Sequence, residues 1–151
     1  MPFSYTVRSD KDTHFTGAIA QNASEAEDIA LPGALAGING NARSHLRSIT
    51  ILSDQNLAWE VMLFSSDTQE DTDADVDTMV GWWQFSTAGA VQLAGAGLFR
   101  YYIDGLAVPY VDDDNSGELH VKLVNRSATG KNAGATGEVI IELALEPMVT
   151  P

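Results

Sequence analysis

The sequence predicts an all-β protein, a two-sheet β-sandwich of jelly-roll type with about eight strands, with an immunoglobulin-like sandwich, here lacking its disulfide, as the alternative. Three observations predict it. Apolar and polar residues alternate through several segments of strand length, only one short stretch reads as helical, and the segments are separated by connections rich in Gly, Asn, Asp and Ser.

The alternation is clearest in the C-terminal third. In 118–124, ELHVKLV, Leu119, Val121 and Leu123 fall on one side and Glu118, His120 and Lys122 on the other. In 138–146, EVIIELALE, Val139, Ile141, Leu143 and Leu145 oppose Glu138, Glu142 and Glu146, until Pro147 removes a ladder donor. The connection between them, NRSATGKNAGATG at 125–137, reads as long, flexible and a candidate contact surface. In the middle of the chain HLRSITILS (45–53) and LAWEVMLF (57–64) are separated by Asp54, Gln55 and Asn56, which predicts a hairpin with Leu57, Trp59, Val61 and Leu63 on its inner face. Further strands are expected over 4–8, 14–20 and 80–86, with 90–94, 98–103 and 106–110 as the weaker strand readings, which makes roughly eight in all. The one helical reading falls on ASEAEDIAL, 23–31, where Ser24 precedes Glu27 at capping-box spacing. On this scheme the apolar sides of 57–64, 118–124 and 138–146 are buried, while Glu138, Glu142, Lys122 and His120 are exposed.

At 151 residues the chain suits a single core. The predicted organisation is an N-terminal part, 1–44, of strands and an extended arm, followed by the sandwich, 45–151. The arm is ALPGALAGINGNA, 30–42, too small-sided to anchor a core and too apolar for a solvated linker, so Leu31, Pro32, Leu35 and Ile38 are candidate partner contacts. The run DTQEDTDADVDT, 67–78, holds six acids and is expected to be an exposed loop.

Composition narrows the function. The net charge of −13 repels phosphate backbones and anionic lipid, which argues against nucleic-acid and membrane partners. The chain has no cysteine, so thiolate metal sites and cysteine nucleophiles are excluded. The start, MPFSYTVRSDKD, has no apolar stretch of signal-peptide type, and no run reaches membrane-spanning length, so a soluble, unprocessed chain is expected.

Chemistry-bearing motifs are few. Asp71, Asp73, Asp75 and Asp77 mimic the carboxylate spacing of a calcium loop, but Val76 and Trp82 stand where an EF-hand needs Gly and Glu. The cluster DDDNSGE, 112–118, fits its first half and then places Leu123 at the required glutamate. Asp-Asn-Ser-Gly is also ordinary turn chemistry. His14, His45 and His120 have no partner at metal-ligand spacing, and no nucleophile elbow or phosphate loop is present. The AGAG of 94–97 lacks the context of a dinucleotide site. Neither an enzyme nor a cofactor or metal is expected. The aromatic residues say more. Adjacent residues of a strand point to opposite faces, so Trp82-Trp83 and Tyr101-Tyr102 each place one ring inward and one outward, and all four are candidate partner contacts.

The stretch FRYYIDGLAVPYVDDDNSGELHVKLVNRSATGKNAGATGEVIIELALEP, 99–147, resembles the C-terminal half of head decoration or cement proteins of tailed bacteriophages. The likeness rests on DGLxVPYxDDDNSGELHVKLVNRS, Asp104 to Ser127, and not on a catalytic or metal motif. It implies a jelly-roll or related β-sandwich that assembles in the host cytoplasm, forms homo-oligomers (dimers or trimers) and binds the major capsid protein on the outer surface of the virion. The N-terminal part would then supply much of the grip. The reading from another class is a carbohydrate- or receptor-binding module that stacks sugars on Trp82 or Trp83 and Tyr101 or Tyr102.

Overall fold

The computed structural model describes residues 5–25, 29–32, 43–65, 78–93, 97–111 and 117–147. These residues form ten strands: β1 (Tyr5–Arg8), β2 (Ile29–Pro32), β3 (Arg43–Ser53), β4 (Trp59–Phe64), β5 (Met79–Phe85), β6 (Val91–Gln92), β7 (Phe99–Ile103), β8 (Val108–Val111), β9 (Glu118–Asn125) and β10 (Val139–Pro147). Among the described residues helical turns are confined to short 3₁₀ segments, including Thr87–Gly89 and Gly134–Thr136. The all-β expectation holds.

One sheet runs β1-β10-β3-β7-β6, with β8 also on β3, and the other runs β2-β9-β4-β5. Five of the pairings form four nested rungs along the chain: β4 with β5, β3 with β7 and β8, β2 with β9, and β1 with β10. The chain is therefore one long antiparallel ribbon. Rolling this ribbon adds the β10–β3 and β9–β4 pairings and sends successive rungs to alternate sheets. That is the jelly roll. Strands β7 and β8 fill one position in it, because β7 pairs with Ile49–Ser53 and β8 with Arg43–Leu46 along the same edge of β3. The break between them turns through Gly105 at φ 72°, and Leu106 bridges it by donating its N–H to the Arg47 carbonyl at 3.0 Å.

Period-two alternation builds the core. Val139, Ile141, Leu143 and Leu145 of β10 face Leu119, Val121 and Leu123 of β9 and Trp59, Val61 and Leu63 of β4, all buried as expected. Tyr101 joins them, its hydroxyl donating to Asn56 Oδ1 at 2.7 Å and its ring meeting Phe85 edge-on at 6.4 Å. A buried phenol thus retains its hydrogen bond.

Several expectations are corrected. The segments 45–53 and 57–64 are not a hairpin, since β3 and β4 belong to different sheets and the short link between them crosses the sandwich. Residues 14–20 form no strand beyond one bridge at Ile19 to Lys131, although Phe15 and Ile19 are both buried. The helical reading of 23–31 fails where β2 begins, because Ile29 and Leu31 alternate inward and pair with Val121 and Leu119 of β9. Ser24 instead donates its hydroxyl to the Glu25 carbonyl. His120 lies on the outer face with Lys122, as the alternation requires, yet it is buried at 4% exposure. The 125–137 connection is tied down through Asn125 and Lys131: Asn125 Nδ2 donates to the carbonyls of Ile19 and Thr129, and Lys131 Nζ donates to those of Gly17 and Asn132. The N-terminal part contributes one strand to each sheet, β1 and β2. Leu35, Ile38 and residues 66–77 lie outside the described residues.

Candidate functional site

Alternation sorts the paired aromatic residues. In β5, Trp83 lies opposite Val61 and points inward, while Trp82 lies opposite Met62 and points outward at 53% exposure. Trp83 packs against the core over Gly81, where an added Cβ would lie 2.7 Å from Trp83 Cη2. The glycine makes room for the ring. In β7, Tyr101 is a core residue and Tyr102 faces outward at 46% exposure. Of the other candidate contacts, Leu31 is fully buried and Pro32 is the last residue of β2. Leu31 and Tyr101 present no surface to a partner, because their positions in β2 and β7 turn them into the core. Trp82 and Tyr102 carry the outer surfaces.

The surroundings of these two rings differ. Trp82, Met62 and Lys122 form a row across the outside of the four-stranded sheet, beside a row of Gln84, Glu60 and Val124. Glu60 is buried, and its Oε2 accepts from Arg126 Nε at 2.8 Å and from Gln84 Nε2 at 3.4 Å. The Arg126 guanidinium holds the Glu60 carboxyl below the usual carboxylate range. Arg126 also reaches Asn22 Oδ1 at 3.2 Å, which ties the N-terminal part to this face.

On the six-stranded sheet, the guanidinium of Arg100 sits 4.4 Å from the centre of the Tyr102 ring, a cation–π contact that orients the ring. Ile140, Leu52, Arg100 and Val91 form a row across this face, and Arg8, Glu142, Thr50 and Tyr102 form the next. Val91 and Leu93 are exposed, which extends the apolar surface to the β6 edge. Sequence reasoning missed Met62, Val91 and Arg100 because membership of one face across strands depends on register. The arrangement offers non-covalent adhesion on two opposite faces. Among the described residues no three His, Asp or Glu side chains gather as a metal site would require. His14 is engaged locally, its Nδ1 accepting the Asp10 N–H at 2.9 Å.

The class of protein these strands define is the antiparallel jelly roll, assigned by strand order alone. No protein-family model matches the chain, and no curated protein matches it in sequence. Among solved structures, a chain of tomato aspermy virus is similar at 10% identity and a TM-score of 0.40, with 99% of this chain and 79% of that one covered. A chain of turnip yellow mosaic virus is similar at 12% identity and a TM-score of 0.25, covering 100% of this chain and 98% of that one. Neither likeness carries an argument about function.

Proposed function

We propose that this chain is a structural virion protein that decorates or cements a bacteriophage head. It binds the major capsid protein on the outer capsid surface and associates with copies of itself. The observation that carries this reading is the pair of outward rings, Trp82 and Tyr102, on opposite faces of the jelly roll. A bridging protein needs two separate adhesive faces, whereas an enzyme or a simple ligand carrier needs one cleft. The stretch that resembles decoration proteins, 99–147, spans β7 to β10 and so includes the Tyr102 face. Jelly rolls recur in viral capsids, and they recur in lectins and cupins too, so the fold alone does not choose among these. A net charge of −13 suits a protein outside a DNA-filled shell.

The test is addition of the protein to undecorated heads, with occupancy and heat resistance measured and solution mass determined by light scattering. Trp82→Ser and Tyr102→Ser are each expected to leave the fold intact and to weaken head binding or self-association by roughly 10- to 100-fold, as loss of an aromatic anchor does. Heads that remain bare with the wild-type protein would refute the reading. The carbohydrate-binding alternative is favoured by the exposure of Trp82 beside Gln84, and glycan binding abolished by Trp82→Ser without any effect on heads would select it.

A further inference from the structure

A cavity of about 380 Å³ opens where the N-terminal part crosses the end of the sandwich, with Thr13, Phe15, Thr16, Ser24, Glu25 and Ile29 among the residues in its wall. None of these residues belongs to the two aromatic faces. The segment that forms it is held in an uncommon shape. Phe15 has φ 55°, in the left-handed region that a bulky side chain rarely adopts, and burial of its ring offsets that strain. Lys131 fixes the opposite rim by donating from Nζ to the Gly17 carbonyl at 2.9 Å.

Glu25 is the unusual member of the wall. Its backbone follows Ala23, which pairs with Asn125 of β9, and its side chain continues that edge by accepting the Leu123 N–H on Oε1 at 3.3 Å. Its other oxygen, Oε2, is shielded from solvent and has no hydrogen-bond partner among the described residues. A buried polar atom without a partner costs stability, so it calls for an explanation in terms of use. Burial pushes the Glu25 carboxyl up to about 7, against the weaker pull of its backbone hydrogen bonds and of Lys122 and Lys131. Lys131 is itself spent on two carbonyls and does not complete the carboxylate.

We propose that this cavity binds a primary ammonium group, with the Glu25 carboxylate as counter-charge and the Thr13, Thr16 and Ser24 hydroxyls as further acceptors. Among the described residues of the wall Glu25 is the single carboxylate, which matches a monovalent cation, whereas a divalent ion wants six or more oxygens and more than one acid. An ammonium brings three donors to a site that has acceptors to spare. Turning Oε2 toward the ligand also draws Oε1 from the Leu123 N–H, a long bond at 3.3 Å whose loss the charged ammonium contact exceeds. Two sources present this chemistry: a small free amine, or a lysine side chain of a bound protein.

The experiment titrates the full chain with n-butylammonium at constant ionic strength and follows the backbone amides of Gly17, Ala18 and Glu25 by NMR. Nα-acetyl-lysine N-methylamide forms a second arm and n-butanol a third. Saturable shifts with butylammonium, absent with butanol, are expected, together with a fall in the Glu25 carboxyl pKa as the ligand binds, because binding and ionisation are linked. Glu25→Gln retains the acceptor for the Leu123 N–H and so keeps the fold, but should weaken binding by about tenfold or more. Binding of butylammonium alone marks a small-amine site, and binding of both ammonium probes marks a lysine pocket. The proposal is overturned if butylammonium gives no saturable shift, if Glu25→Gln binds it equally well, or if butanol binds as tightly.

Discussion

Two polar centres lie at the same end of the sandwich and are finished differently. Around Asn125 both polar atoms are engaged: Nδ2 donates to the Ile19 and Thr129 carbonyls and Oδ1 accepts the Ser127 N–H, all in a side chain with no exposure. Around Glu25 one oxygen is bonded and the other is left over. Both residues fasten the N-terminal part to β9, so the difference is one of completion and not of location. A saturated centre of this kind holds a fold together. An unsaturated one weakens it and makes sense only if something else completes it.

Substitutions can break this contrast in order of size. Asn125→Leu removes three hydrogen bonds to backbone groups and strands the Thr129 carbonyl and the Ser127 N–H, while the Ile19 carbonyl keeps the Lys131 N–H, and a loss of about 3 kcal/mol in urea unfolding is expected. The second effect is one of pH. An unfolded glutamate ionises near 4.5 and the folded Glu25 near 7, so between those values the unfolded chain has released a proton that the folded chain retains. The stability contributed by the neutral acid is complete below 4.5, falls as pH rises and is gone above 7, a span on the order of 3 kcal/mol. Glu25→Gln should remove that slope and be more stable than wild type at pH 8; an unchanged slope in chemical denaturation between pH 5 and 8 would show that the carboxyl is already paired.

Lys131→Met comes third. It forfeits two bonds to carbonyls but also removes a buried charge, so about 1–2 kcal/mol should be lost, less than at Asn125. The smallest effect belongs to Trp82→Ser, within about 0.5 kcal/mol of wild type by thermal melting, because an outward, half-exposed ring contributes little to the core. A large loss there would mean that Trp82 is covered within the chain.

How much of this could be read from the sequence follows from what alternation encodes. It encodes the face of a side chain within its own strand, so the inward residues of β4, β9 and β10 were legible, as was the outward turn of one ring in each of the pairs Trp82-Trp83 and Tyr101-Tyr102, though not which one. It does not encode the partner strand. Leu57, Trp59, Val61 and Leu63 point at the same core whether β4 pairs with β3 in one sheet or faces it across the sandwich, so a short link reads equally well as a hairpin or as a crossing. Nor does it say which outer faces are covered, and His120 and Glu60 are outward yet buried for that reason. Glu25 carried no signal at all. In ASEAED it stands among small and acidic residues, as a solvated turn would, and only its place beside the edge of β9 lets its carboxyl accept the Leu123 N–H.

The nested ribbon also fixes the order in which the chain can assemble. The innermost rung joins Trp59–Phe64 to Met79–Phe85, whereas the outermost sets Tyr5 opposite Leu145. Loop-closure entropy rises with the length enclosed, so zippering from the inner rung outward meets the smallest penalty at each step. High contact order of this sort belongs to chains that fold in milliseconds to seconds. During synthesis β1 leaves the ribosome first and waits longest, since its sheet neighbour β10 is translated last. A circular permutant that joins the ends beside Tyr5 and Leu145 and opens the ribbon at its tip would make β1 and β10 neighbours in sequence, reverse the direction of closure and let that waiting strand pair at once.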